Sequence, residues 1–171
     1  MDRICDNVAY VIGRIKELWG EKPGKKALQK VVFLIQQKGV DLGYDYGLHF
    51  YGPYSAALDE RTRFLSADGV VLFRYAGYHH LIGLNTDKYV VEPEELSSGE
   101  LALVDEVIRR FQGRSASELE LLTTAIYVYD HLVDRSKSEI IAGVQKIKGT
   151  KYSEEEIEAA LDEFAYFGKH I

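Results

Sequence analysis

Apolar residues recur at spacings of three and four from the start of the chain. Ile4, Val8, Val11, Ile15 and Leu18 form one stripe and predict a first helix that ends near Gly20. Glu21-Lys22-Pro23-Gly24 predicts a turn, after which Ala27, Leu28, Val31, Val32 and Ile35 mark a second helix that stops near Gly39. Gly39, Gly43 and Gly47 punctuate a loop into Leu48-His49-Phe50-Tyr51, read as a short aromatic strand. Gly52-Pro53 ends that strand, because proline brings no N–H to a ladder. Ser55 is placed to cap a third helix over residues 55–67, with Leu58, Arg61 and Leu65 on one face. The pattern then turns β-branched and aromatic: Val70 to Tyr75 and Tyr78 to Leu84 read as a hairpin closed by Ala76-Gly77.

From residue 97 the helical period returns, and four capping-box pairs mark helix starts: Ser97/Glu100, Ser115/Glu118, Ser136/Glu139 and Ser153/Glu156. Their apolar faces are Leu101, Val104, Ile108 and Phe111; Leu119, Leu122, Ile126, Tyr129 and Val133; Ile140, Val144 and Ile147; and Ile157, Leu161 and Phe164. Glu92-Pro93-Glu94-Glu95 is the one linker-like stretch. The expected fold is therefore α+β and mostly helical. Residues 1–92 form a winged-helix-like part (helix, helix, strand, helix, hairpin), and residues 93–171 an acidic four-helix segment packed with it as one compact unit. In this reading residues 55–67 are the recognition helix and residues 70–84 the wing.

With 171 residues, 46% of them hydrophobic, the chain can bury a sizeable core without a metal or disulfide staple. Cys5 is the only cysteine, so a cysteine-based zinc site is excluded and a reducing, cytoplasmic setting is expected. No apolar run approaches the length of a membrane span, and no membrane role is expected. The net charge of −6 argues against coating nucleic acid by bulk charge, but it is unevenly spread. Residues 1–90 carry 12 Lys/Arg against 10 Asp/Glu, and residues 91–171 carry 9 against 17.

No catalytic, metal or cofactor motif is found. Gly20-Glu21-Lys22-Pro23-Gly24-Lys25-Lys26 has three residues between its glycines where a phosphate-binding loop has four, and it follows a helix where such a loop follows a strand. His79 and His80 are adjacent on a strand and point to opposite faces, one inward and one outward, so they cannot easily share an ion. Asp130, His131 and Asp134 cluster near a helix end, where solvent-facing charge is the simpler reading, and Cys5 falls in the first turn of the first helix. A third reading, an unrecognised active site around His79, Asp130 and His131, rests on these residues alone. Lys22, Lys25, Lys26 and Lys30 gather near a helix N-terminus, where the macrodipole disfavours cations. With Arg61 and Arg63 on the third helix and Arg74 and His79 on the wing they form a candidate basic patch. The same counts fit an ordinary solvated face, since Asp59 and Glu60 interleave with the arginines. Aromatic His49, Phe50, Tyr51 and Tyr54 around Gly52-Pro53 fit either core architecture or a partner groove.

Lys26-Ala27-Leu28-Gln29-Lys30-Val31-Val32-Phe33-Leu34-Ile35, followed by His49-Phe50-Tyr51-Gly52-Pro53-Tyr54-Ser55, resembles the YwgA-like proteins of bacteria and archaea. More distantly, the two segments are similar to the Panacea-domain (SocA-like) proteins. The resemblance covers residues 24–66 and implies a non-enzymatic, mostly helical protein. Panacea members act as antitoxins or proteolytic adaptors that hold a partner protein. It carries over no catalytic residue. It implies that Leu28, Gln29, Lys30, Tyr51, Gly52, Pro53 and Tyr54 build the fold around the second and third helices, with Gln29 and Lys30 exposed.

The expected function is binding of a macromolecule, first another protein and alternatively duplex DNA through a winged helix. Lys25, Lys26, Gln29, Lys30, Tyr51, Tyr54, Arg61, Arg63, Arg74 and His79 are the candidate contact residues.

Overall fold

The structure, a computed structural model, describes residues 1–171. The elements in order are β1 (Asp2–Cys5), α1 (Asn7–Trp19), α2 (Lys25–Gln37), β2 (Gly47–His49), β3 (Gly52–Tyr54), α3 (Ala56–Ala67), β4 (Val71–Ala76), β5 (His79–Leu84), β6 (Tyr89–Glu92), α4 (Ser98–Arg110), α5 (Ala116–His131), α6 (Lys137–Lys148) and α7 (Glu154–Leu161). A 3-10 turn, Phe164–Phe167, follows α7. The protein is α+β and mostly helical, and each of its three sheets has only two strands. No helix is long and apolar enough to cross a membrane. The chain divides into two compact units, one of Met1–Tyr46 with Ser55–Gly113 and the other of Gly47–Tyr54 with Arg114–Ile171.

In the first unit, α1 begins later than its apolar stripe suggests. Asp6 is extended, and its carboxylate accepts from the Ala9 N–H, so the helix starts at Asn7. Ile4 and Cys5, expected in the first turn, instead belong to β1, which pairs in parallel with β6 from Asp2↔Tyr89 to Cys5↔Glu92. Val8, Ala9, Val11, Ile12 and Ile15 form the buried face, and Gly20 ends the helix in the left-handed region at φ 79°. Helix α2 is buried from Leu28 through Ile35, on more than one side.

The expected β4–β5 hairpin forms, with Val71 opposite Leu84 and Ala76 opposite His79, so its turn is Gly77-Tyr78, one residue later than Ala76-Gly77. Gly77, at φ 63°, opens its two-residue turn. The inward and outward assignment of His79 and His80 does not hold. Both are exposed, because the hairpin extends past the core that covers Val71 and Ile82. The outer edge of β5 is closed by the α1–α2 turn: Ile82 N–H donates to the Pro23 carbonyl at 3.0 Å, and Gly24 bridges Leu81.

The linker-like Glu92-Pro93-Glu94-Glu95 is held rather than free. Glu92 ends β6, and the Asn7 side-chain amide donates to the Glu94 carbonyl at 3.0 Å and accepts from the Glu94 N–H at 2.7 Å. Helix α4 then packs on α1 and α2. Arg14 makes a bidentate pair with Asp105 at 2.9 and 3.0 Å, and the Trp19 indole donates to the Ile108 carbonyl at 2.7 Å. These contacts place the division of the chain after Gly113 rather than at the 92/93 boundary read from the sequence, and they leave α4 outside the C-terminal helical set.

The second unit packs α5, α6, α7 and the 3-10 turn around Leu119, Leu122, Ile126, Ile140, Val144, Ile157, Leu161 and Phe164. The boxes at Ser97, Ser115 and Ser153 are reciprocal. At Ser136 the hydroxyl accepts from the Glu139 N–H, but the Ser136 N–H goes to Asp134, so that box is half formed. Helix α5 ends at His131, before Val133, which lies in the extended turn and is exposed instead of continuing the stripe; Ile147 is also exposed. The single strand expected at residues 48–51 is a hairpin: β2 and β3 pair antiparallel around Phe50-Tyr51. Pro53 belongs to β3, as a two-stranded ribbon with only edge strands permits.

Gly143 of α6 packs directly against Val128 of α5. A Cβ there would stand 2.6 Å from Val128 Cγ1 on α5, and a β-branched side chain in a helix has little freedom to rotate away. Gly143→Ala is therefore expected to lower stability by about 1–2 kcal/mol despite its better helix propensity. A urea unfolding curve reads this directly, and an unchanged or raised midpoint would contradict it.

Candidate functional site

Three cations of the candidate basic face, Arg61, Arg63 and Lys25, are paired with the protein's own carboxylates. Asp6 is buried at the α1 N-terminus; while one oxygen caps the helix, the other accepts from Arg61, with Nε at 2.8 Å and Nη2 also in contact. That hydrogen bond, more than the neighbouring charges, makes the Arg61 guanidinium still harder to deprotonate than usual. Asp59 holds Arg63 at 2.7 Å and Lys25 at 3.4 Å, and the Lys25 ammonium also lies 4.9 Å from the centre of the Phe73 ring. Lys26 is exposed. Lys30 is buried, which removes it from the patch. Arg74 and His79 are exposed on the β4–β5 hairpin. Among the candidates of the third reading, Asp130 pairs with Lys169 at 2.7 Å and the His131 ring stacks on Tyr127. No three His, Cys, Asp or Glu side chains converge as a metal site.

Gln29, expected to be exposed, is 7% exposed and holds the backbone of one residue with both ends of its amide. Its Nε2 donates to the Ser55 carbonyl at 2.9 Å, and its Oε1 accepts from the Ser55 N–H at 2.9 Å. Ser55 in turn caps α3, its hydroxyl accepting from the Leu58 N–H. The Tyr46 hydroxyl donates to the Gln29 carbonyl at 2.8 Å, and burial pushes that phenol's pKa well up. The residues on either side of the 47–54 hairpin are thus both tied to Gln29. One turn pair further along α2, Gln36 repeats the device, donating to the Tyr44 carbonyl at 2.9 Å and accepting from the Tyr44 N–H at 3.0 Å.

In the second unit, the hairpin tip carries exposed aromatic surface: Phe50 is 85% and Tyr51 46% exposed, their rings edge to face at 5.0 Å. Tyr54 is half-buried against His49. The main chain of the tip is tethered by Lys148, whose ammonium donates to the Phe50 carbonyl at 2.9 Å and lies 3.3 Å from Glu120 Oε2. Lys151 at 2.6 Å and the Tyr152 hydroxyl at 2.7 Å also donate to that carboxylate, and Ser117 Oγ donates to Tyr152. Burial works to raise the Glu120 pKa, but the hydrogen bonds from Lys151 and Tyr152 and the two lysine charges outweigh it, so the carboxyl sits below its ordinary value.

Sequence reasoning missed the large apolar side chains that the first unit leaves outside its core. Phe64 of α3 and Leu72 and Tyr75 of β4 are 57%, 51% and 71% exposed, and Tyr78 at the turn is fully exposed. Leu72 and Tyr75 were legible as strand residues, but a β-rich run carries no mark of how far it reaches beyond the core.

No protein-family model matches the chain. The chain is similar to the uncharacterized protein YwgA of Bacillus subtilis (strain 168), with 29% identity over 148 residues, 83% of this chain and 85% of that protein. The chain is YwgA-like. For a YwgA-like chain the Gln29–Ser55 pairing joins the two sequence segments that carry the resemblance, one on α2 and the other ending at the α3 cap.

Removing the Gln29 amide leaves a buried N–H and a buried carbonyl unpaired. Gln29→Ala is expected to cost about 3 kcal/mol, measured by urea unfolding; a loss under about 1 kcal/mol would show that water replaces the clamp. Glu120→Gln leaves Lys148 without its counter-charge and is expected to cost about 3 kcal/mol near neutral pH. Because the folded pKa of Glu120 lies below its unfolded value, its contribution is complete above the unfolded carboxylate range and is lost as pH falls through the folded value. The gap between the native protein and Glu120→Gln should therefore narrow below about pH 4.3. A gap independent of pH would assign the loss to packing.

Proposed function

We propose that the chain is a non-enzymatic, cytoplasmic protein-binding module of antitoxin-like or adaptor type, and that α3 and the β4–β5 hairpin form its contact surface. The observation that carries this reading is the contrast on these elements. Arg61, Arg63 and Lys25 are paired with carboxylates of the same unit, while Phe64, Leu72, Tyr75 and Tyr78 stand in solvent. Leu72, Tyr75 and Tyr78 share one hairpin, and exposed apolar and aromatic side chains gathered on one element favour protein contact, in which aromatic anchors dominate. The resemblance to Panacea-domain proteins, which hold partner proteins, supports the same class.

The alternative is a winged-helix DNA-binding regulator. It is favoured by the element order around α1, α2, α3 and the hairpin, with the Pro23-Gly24 turn bridging the outer edge of the wing. On that reading Lys26 and Arg74, both exposed, would meet phosphates.

Titration of labelled mixed-sequence duplex DNA at roughly 50 and 200 mM salt separates the two. The protein-binding reading expects no saturable complex at either salt. It also expects the Leu72→Ser/Tyr78→Ser variant, folded as the native protein is, to lose a partner that the native protein retains in parallel affinity capture. Tight DNA binding that falls steeply with salt, with a slope made shallower by Lys26→Ala or Arg74→Ala, would overturn it in favour of the regulator.

A further inference from the structure

We propose that the open edge of β4 takes up an extended, acidic segment of a partner protein as an added antiparallel or parallel strand. This inference rests on the protein-binding reading and names the mode of binding. The β4–β5 sheet has two edges, and the chain closes only one of them. Ile82 N–H donates outward to the Pro23 carbonyl, and Gly24 bridges Leu81. In an antiparallel pair, opposed residues direct their main-chain groups either toward each other or both away. Ile82 faces away from β4, so Phe73 opposite it also faces away from β5, and by the same alternation so does Tyr75, which is opposite His80. The Asn85 N–H bond to the Val70 carbonyl has the parity this requires. Phe73 and Tyr75 therefore present two donors and two acceptors along an edge that no strand of the chain occupies.

The edge also lacks the usual protections. It has no proline, no lysine and no bulge, and its exposed side chains are Leu72, Arg74, Tyr75 and Ala76. An edge of this kind is the receptor surface of strand addition, in which main-chain hydrogen bonds hold the peptide and alternate side chains select it. Charge selects the occupant. Residues 69–86 hold no Asp or Glu in a chain of net charge −6, while Arg74, His79 and His80 stand exposed on the hairpin. A second copy of β4 would bring another arginine and no carboxylate, whereas an extended segment alternating acidic and apolar residues sets its acids on the face of Arg74 and His79 and its apolar residues on the opposite face with Phe73 and Tyr75.

The probes are short fluorescein-labelled peptides alternating valine with glutamate or valine with lysine, and a glutamate peptide N-methylated at alternate residues. The full-length protein is expected to bind the glutamate peptide saturably, and the lysine and N-methylated peptides at least about tenfold more weakly. Tyr75→Pro removes one outward donor at an edge position and should weaken binding about tenfold beyond the effect of Tyr75→Ala. No saturable binding of any peptide, or equal binding of the N-methylated peptide, would overturn strand addition without needing a variant. A captured partner lost with Leu72→Ser/Tyr78→Ser but retained with Tyr75→Pro would overturn strand addition and leave the protein-binding surface standing. A native dimer in sedimentation that Tyr75→Pro splits would give the edge to a second copy and overturn the acidic partner.

Discussion

The Gln29 amide is the constraint on which the path of the chain depends. A buried peptide group must find a partner, and Ser55 is followed at once by a helix whose first N–H groups have none of their own. Gln29 satisfies both main-chain groups of Ser55, and the Ser55 hydroxyl then satisfies Leu58. The Tyr46 hydroxyl on the Gln29 carbonyl fixes the other flank of the hairpin, so one residue sets where the chain leaves the first unit and where it returns. Gln36 on Tyr44 and Asn7 on Glu94 act the same way, as pieces of strand supplied by side chains. Through these three amides, segments with little regular structure are held without a sheet.

How much of this was legible in the sequence follows from the range of each interaction. Helices α2 to α7 follow from local periodicity and caps, and the β4–β5 hairpin from a local turn. The β1–β6 pair joins residues far apart in the sequence in parallel, with no turn between them to mark it, and Ile4 happens to fall four residues before Val8. The local stripe therefore won in the sequence and lost in the structure, where Asp6 starts the helix. Gln29 was read as exposed because a polar residue on an amphipathic helix ordinarily is. Burial around most of α2 turns that expectation around, and a buried amide is tolerated only because each of its groups is paired.

Charge was left between two readings for a related reason. A count of lysines and arginines records formal charge but not which carboxylates stand beside them. Asp6 is one residue before α1, yet it reaches Arg61 on α3, and Asp59 serves two cations at once. The same arrangement recurs in the second unit, where Glu120 holds Lys148 and Lys151 and the hairpin tip is fixed through Lys148. Each pair is worth little where it is exposed and more where burial leaves no water to replace the partner. Their common consequence is positional: elements that hydrophobic packing alone would leave free to slide are locked in register.

What remains unpaired then carries functional meaning. A molecule that satisfies buried Ser55 twice over and pairs Arg61, Arg63 and Lys25 with its own carboxylates leaves Tyr75, Tyr78, Leu72 and the β4 edge in solvent. Stability does not require that exposure. Apolar area on an open strand edge invites unwanted pairing, and folded proteins ordinarily blunt it with lysine, proline or a bulge. Here the sheet is blunted on the β5 side alone, by the Pro23-Gly24 turn, and β4 is left bare. The asymmetry is that of a surface kept for contact, in a protein whose side-chain amides already show how this fold receives an isolated stretch of main chain.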